Sequence, residues 1–213
     1  MTADLRLYLV TDPGTERLDD VVAAAVSGGA TCVQVRDKHA TTRALTDRAR
    51  ALRAVLPAHV AVIVDDDVEA ARAVDGVHVG ADDVPPSVAR AALGSGAVIG
   101  WSINHLDQLR DKTQLAACDY VAVSPVWATT TKPDATEPFG LAGVRAVADL
   151  LARRLPLVAI GGIDLDRAAD VVGAGADGVA VVSAICSAAD PRTAAEQLRR
   201  VVDTALAETA ALR

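Results

Sequence analysis

The sequence predicts an α/β chain closed into a single-domain (β/α)8 TIM barrel spanning residues 1–213, on three observations. Short apolar runs of strand length alternate eight times with amphipathic stretches of helix length. A five-residue unit recurs as T-C-V-Q-V, D-G-V-H-V, D-Y-V-A-V and D-G-V-A-V, beginning at Thr31, Asp75, Asp119 and Asp177. Polar residues suited to binding phosphate and metal gather just beyond the strand runs.

The elements follow in order. Strand runs are expected at Leu7–Val10, Cys32–Val35, Val60–Val64, Gly76–Val79, Val98–Trp101, Tyr120–Val123, Leu157–Ile160 and Gly178–Val182. Helices are expected after each, over Asp19–Ser27, Thr41–Leu56, Val68–Val74, Ser87–Ala92, Leu106–Ala116, Leu141–Arg153, Asp164–Gly173 and Pro191–Ala210. Asp164 is a natural N-cap, and Pro191 suits a first helical position because its missing N–H has no intrahelical acceptor there. An open doubly wound sheet has the same periodicity, so closure rests on the repeat. The four units are spaced by 44, 44 and 58 residues, which is two β/α modules per unit. The extra length falls between Ser124 and Gly140, where a strand-end insertion would make a binding loop.

Composition narrows the function. Half of the 213 residues are apolar, but only five are aromatic, so the core is built of Ala, Val and Leu in close helix–sheet contact. A formal charge of −7 argues against non-specific binding to nucleic acid or to an anionic membrane, and no apolar run reaches a membrane span. Cys32, Cys118 and Cys186 are odd in number and widely spaced in apolar surroundings, as expected of reduced, buried thiols in a cytoplasmic protein. Positive charge is carried by 18 Arg and only three Lys, and two of those lysines, Lys38 and Lys132, follow strands.

The strand ends form a coherent set. After the second strand, Gln34, Arg36 and Lys38 alternate onto one face of an extended segment, offering an amide and two cations to a diphosphate. The third strand runs into Asp65, Asp66 and Asp67, and the fourth into Asp82 and Asp83. Carboxylates from neighbouring strands suit magnesium, which takes one or two of them along with water and phosphate oxygens. An isolated aspartate there is more often a helix cap. The fifth strand supplies Ser102, and the sixth leads into T-T-T-K-P-D, with Thr129, Thr130, Thr131 and Lys132 as an oxyanion cradle. Gly161 and Gly162 after the seventh strand, with Val182 and Ser183 after the eighth, occupy the recurrent phosphate position of this fold. His78, inside the fourth strand, reads as a packed, hydrogen-bonded core histidine. Two phosphate sites with a metal suggest joining of two phosphorylated small molecules with diphosphate leaving.

Over nearly its whole length the chain resembles the thiamine phosphate synthase family. The segments that carry the resemblance are L-Y-L-V-T-D, Q-V-R-D-K, D-G-V-H-V-G, S-P-V-W-A-T-T-T-K-P-D, A-I-G-G-I and A-G-A-D-G-V-A-V-V-S-A-I. The resemblance implies a barrel that condenses a hydroxymethylpyrimidine diphosphate with a thiazole phosphate or its carboxylated tautomer. The products would be thiamine phosphate and diphosphate, formed with Mg2+ by a dissociative mechanism. It implies that Gln34, Arg36, Lys38, Asp65, Ser102 and Lys132 bind the pyrimidine diphosphate, with Arg36, Lys38, Ser102 and Lys132 as catalytic groups. It also implies that Asp66 and Asp83 ligate the metal, and that Thr129, Thr130, Thr131, Gly162, Val182 and Ser183 hold the thiazole phosphate. The chain departs from the family pattern at Asp65, in place of an asparagine that could donate hydrogen bonds, at Ala81 and at Asn104. A thiazole-phosphate tautomerase or a non-catalytic regulatory barrel that binds thiamine precursors are the competing functions. The oligomeric state, including a homo-oligomer, is left open by the sequence.

Overall fold

The computed structural model describes residues 3–128 and 137–211. Eight parallel strands pair in chain order and close, with β1 (Leu7–Val10) bonded both to β2 (Cys32–Val35) and to β8 (Gly178–Val181). Between them lie β3 (Ala61–Asp65), β4 (Gly76–Val79), β5 (Val98–Ile103), β6 (Tyr120–Val123) and β7 (Leu157–Ile160). The helices are α1 (Leu18–Ser27), α2 (Thr42–Val55), α3 (Val68–Ala71), α4 (Pro86–Leu93), α5 (Lys112–Ala117), α6 (Gly140–Leu151), α7 (Leu165–Gly173), α8 (Ser183–Cys186) and α9 (Pro191–Ala211).

Closure divides the apolar residues into two sets. Leu7, Leu9, Val33, Val62, Val77, Ile99, Val121 and Val179 face outward and pack under the helices. Tyr8, Cys32, Ile63, Val98, Tyr120, Ala122, Val158 and Ala180 face inward and fill the barrel. Alternation along each strand does the sorting, because successive side chains point to opposite faces.

The repeat has a physical basis. The backbone N–H groups of Thr31, Asp75, Asp119 and Asp177 donate to the carbonyls of Leu7, Val62, Ile99 and Leu157, so each stitches an even strand to the one before. The three aspartates add a second bond. Their carboxylates accept from the N–H of Val62 (2.8 Å), Ile99 (2.7 Å) and Leu157 (2.9 Å). Thr31 uses its hydroxyl instead, donating to the Leu7 carbonyl at 3.2 Å. The repeated residue therefore locks the N-terminal rim.

Several boundaries differ from expectation. The helix expected over Leu106–Ala116 is a 3₁₀ turn, Leu106–Arg110, followed by α5. Asp111 divides them, because its carboxylate accepts from the N–H groups of Thr113 and Gln114 and starts a new helix. The stretch expected as Val68–Val74 leaves α-helical form after Ala71, where Arg72, Ala73 and Val74 bond three residues back. Asp164 caps α7 as expected, accepting from the Arg167 N–H. The single turn of α8 is too short to show a helical period. Strand β5 extends to Ile103, which places Ser102 inside the sheet.

Candidate active site

A cavity of about 340 Å³ opens at the C-terminal ends of the strands, as the fold leads one to expect. Gln34, Arg36, Asp65, Ser102, Gly162, Val182 and Ser183, all singled out from the sequence, line it. Thr129, Thr130, Thr131 and Lys132 lie outside the described residues.

One wall is electrostatic. Thr11, buried at the end of β1, accepts from the Arg36 N–H at 2.9 Å and fixes the backbone leaving β2. The Arg36 side chain then runs beside Asp65, Nε to Oδ2 at 3.5 Å. That Nε is buried and has no hydrogen-bond partner among the described residues, a costly state for a guanidinium N–H unless an anion satisfies it. Lys38 reaches across from the same loop, 3.0 Å from Asp65 and in contact with Asp66. Burial pulls its ammonium pKa down, but the bonds to Asp66 and Asp65 outweigh burial and hold it above the ordinary lysine value.

Beside this wall stands a carboxylate pair. Asp66 adopts a left-handed backbone (φ 57°) while its N–H donates to the His78 carbonyl at 2.8 Å, which turns its side chain off the end of β3. Asp83 folds back to accept from the Gly80 N–H at 2.8 Å; a Cβ at Gly80 would lie 2.7 Å from that carboxylate oxygen. The Asp66 and Asp83 side chains pair with each other when Asp66 takes up a proton. Burial, that bond and the Asp65 charge push the Asp66 carboxyl up to about 7, against the opposing pull of Lys38. Among the described residues no group of three His, Cys, Asp or Glu side chains forms a complete metal nest. Two neighbouring carboxylates, one of them against the Lys38 ammonium, nevertheless fit a magnesium ion that takes its other ligands from water and phosphate. Asp67, third in the run, is instead the N-cap of α3.

The opposite wall is built from backbone. Gly161 (φ 106°) and Gly162 (φ 66°) need conformations that other residues resist, and Cβ atoms there would come within 2.7 Å of Pro125 and 2.9 Å of Trp127. Val182 and Ser183 continue this wall into α8.

Sequence reasoning missed several contributors. Arg167 lines the cavity, donates to the Gly162 carbonyl at 2.7 Å and lies 5.0 Å over the Trp127 ring. Its position, three residues past the Asp164 cap at the seventh strand end, was the available signal. Tyr8 and Tyr120 fall within strand runs with no sequence signal for a polar role, yet both hydroxyls join a buried polar chain with Gln34, His78 and Ser102. His78 is hydrogen-bonded as expected, and it also borders the cavity. Cys32 and Cys118 are buried free thiols, while Cys186 is only half-buried, a departure from the expected burial of all three. Burial raises the Cys118 thiol to about 12, so it is inert as a nucleophile at neutral pH.

Arg36 and the glycine-rich wall line the cavity of a barrel mouth, with Lys38, Asp66 and Asp83 beside it rather than in its lining, an arrangement that defines a small-molecule enzyme. The profile of the thiamine monophosphate synthase family matches residues 7–185, and the chain belongs to that family. It is 47% identical over 205 residues to the thiamine-phosphate synthase of Albidiferax ferrireducens, covering 93% of this chain and 92% of that one. Its identity to the Xanthobacter autotrophicus thiamine-phosphate synthase is 50% over 205 residues, with 93% and 96% covered. The solved thiamine phosphate pyrophosphorylase of Pyrococcus furiosus superposes with a TM-score of 0.86 at 35% identity, covering 96% of this chain and 98% of that one.

Proposed function

We propose that this enzyme condenses 4-amino-2-methyl-5-hydroxymethylpyrimidine diphosphate with 4-methyl-5-(2-hydroxyethyl)thiazole phosphate, releasing thiamine phosphate and diphosphate. The observation that carries the reading is the buried Arg36 Nε, without a hydrogen-bond partner among the described residues, and the Lys38 ammonium standing beside the Asp66–Asp83 pair. An anion and a divalent cation would complete both at once.

In this reading Gln34 recognises the aminopyrimidine, while Arg36, Lys38, Ser102 and Lys132 receive the diphosphate. Asp66 and Asp83 would hold Mg2+, whose charge offsets that of the departing diphosphate. Gly162, Val182 and Ser183, with Thr129, Thr130 and Thr131, hold the thiazole phosphate through backbone N–H groups and hydroxyls. The C–O bond to diphosphate breaks first. The electron-rich aminopyrimidine stabilises the methylene cation, and the thiazole nitrogen then attacks it. Positioning and charge stabilisation carry this chemistry, and no general base is required. The free cysteines support a reducing, cytoplasmic setting.

The test is to mix purified protein with both substrates and Mg2+ and to follow diphosphate and thiamine phosphate. Equal formation of the two supports the reading. Isomerised thiazole without coupling would favour a tautomerase, and saturable binding without turnover a regulator. Lys132→Ala should slow coupling by roughly 10²–10³-fold with the fold intact. A near-normal rate would remove that lysine from the mechanism.

A further inference from the structure

A continuous chain of hydrogen bonds crosses the barrel interior along the floor of the cavity, with Tyr8, Gln34, His78 and Ser102 in its lining. Gln34 Nε2 donates to the Tyr8 hydroxyl at 2.6 Å. The Tyr8 and Tyr120 hydroxyls are 3.2 Å apart, Tyr120 Oη is 2.9 Å from His78 Nδ1, and His78 Nε2 is 2.8 Å from Ser102 Oγ. The five residues come from β2, β1, β6, β4 and β5, and all are buried. Gln34 and Ser102, its two ends, line the cavity; Tyr120, its centre, is fully buried and touches no cavity surface.

The sequence makes specific provision for the central link. His78 and Tyr120 sit on strands separated by β5, and the residue between them in register is Gly100. A Cβ at Gly100 would fall on the Tyr120 hydroxyl and against the His78 ring, so only glycine permits the bond. The imidazole also stacks on Tyr120, with centroids 5.5 Å apart and planes 28° apart. Burial holds both tyrosine hydroxyls protonated, far above their usual range, so each has one proton to place.

Proton counting leaves two polarities. In one, Tyr8 donates to Tyr120, Tyr120 to His78 Nδ1 and His78 Nε2–H to Ser102, which leaves the Ser102 proton directed to the cavity. In the other every bond after Gln34 is reversed, and the spare proton is that of Tyr8. An anion at Ser102 selects the first, because a phosphate oxygen accepts from a hydroxyl and repels its lone pairs.

We propose that these side chains form a one-directional relay, polarised by the phosphate charge at Ser102, that couples diphosphate binding to pyrimidine recognition at Gln34. Tyr120, His78 and Tyr8 are then positioning residues. With the relay polarised, the Tyr8 oxygen is a better acceptor for the Gln34 amide N–H. The Gln34 carboxamide is held with its carbonyl available to the amino group of the ring. Hydrogen bonds in such a chain strengthen one another, and the coupling is reciprocal.

The proposal rests on the substrate reading above, and its test separates the two. Protein labelled with 15N-histidine is examined by NMR with inorganic diphosphate and Mg2+ present, the His78 signals being assigned by their loss in His78→Gln. The neutral Nε2–H tautomer is expected; the Nδ1–H tautomer or a doubly protonated ring would overturn the relay. The affinity for unphosphorylated hydroxymethylpyrimidine is then measured by calorimetry with and without diphosphate. Diphosphate should tighten it by about fivefold or more in the unmutated protein. In Tyr120→Phe, and independently in Tyr8→Phe, the factor should fall to near one while diphosphate alone binds within about twofold of normal, less than the net worth of one hydrogen bond. Unchanged coupling in both variants would overturn the relay and leave the substrate reading standing. Failure of the unmutated protein to bind either ligand would overturn both.

Discussion

The two rims of this barrel use the same residue type to opposite ends. At the N-terminal rim Asp75, Asp119 and Asp177 each accept from a strand N–H, and Arg53 and Arg90 add ion pairs to the first two. At the C-terminal rim Asp65 and Asp66 crowd one lysine, and burial and Asp83 push the Asp66 carboxyl up. Carboxylates below are satisfied by the fold; those above are held in mutual conflict that a ligand would relieve. The contrast separates aspartates that stabilise from aspartates proposed to act.

Substitution should therefore move different observables at the two rims. The largest effect is expected for Asp66→Asn, which removes a charge from the proposed magnesium site and lowers the coupling rate on the order of 10²–10³-fold. Its urea midpoint should not fall, since a frustrated charge has been lost. A midpoint drop matching the rate loss would place Asp66 with the lower rim instead. Next comes Asp75→Ala, which leaves the Val62 N–H without its side-chain acceptor and should cost about 2 kcal/mol in urea unfolding. The rate per folded molecule should be unchanged, because Arg53 keeps its bonds to the Leu56 and Pro57 carbonyls and the site lies at the other end.

A pH series sharpens the same contrast on a smaller scale. The Asp66 carboxyl is pushed up to about 7 in the folded chain, whereas an unfolded aspartate titrates near ~3.9. Between those values the folded state holds more protons than the unfolded one. Stability of the protein in EDTA should therefore fall as pH rises from about 4 to about 7. Urea midpoints measure the trend, and Asp66→Asn should flatten it. A rising midpoint over that window would show that the Asp66 carboxyl is not held up in the folded chain.

Much of the upper rim was legible because strand ends in a closed barrel converge, so residues far apart in sequence could be collected by position alone. Gln34, Arg36, Asp65 and Ser102 all meet at the cavity for that reason. The repeat was legible too, but its meaning was not: Asp75, Asp119 and Asp177 marked a period, and only register revealed them as locks on the preceding strand. Tyr8 and Tyr120 were invisible as polar residues because an inward tyrosine satisfies the same pattern as any core side chain. What distinguishes them is the hydroxyl partner across the barrel, and periodicity along one strand carries no information on that. Arg167 was missed because its reach back to Gly162 is set by the helix that follows the glycines.

The smallest expected effect tests the residue that belongs clearly to neither rim. Asp65 is almost buried and lies 3.0 Å from Lys38 and 3.5 Å from Arg36. It thus neutralises the two cations that the diphosphate would need, as a lower-rim aspartate neutralises its arginine. Yet its charge also raises the Asp66 carboxyl, as an upper-rim partner does. Asp65→Asn removes the competitor, keeps the shape and adds a donor. The KM for the pyrimidine diphosphate should fall by up to about fivefold, the value of one partly screened ion pair. The turnover number should stay within about twofold of normal, since both carboxylates proposed for the metal, Asp66 and Asp83, are kept. Loss of turnover, with KM unchanged, would assign the Asp65 carboxylate to the metal and make the upper rim a cluster of three.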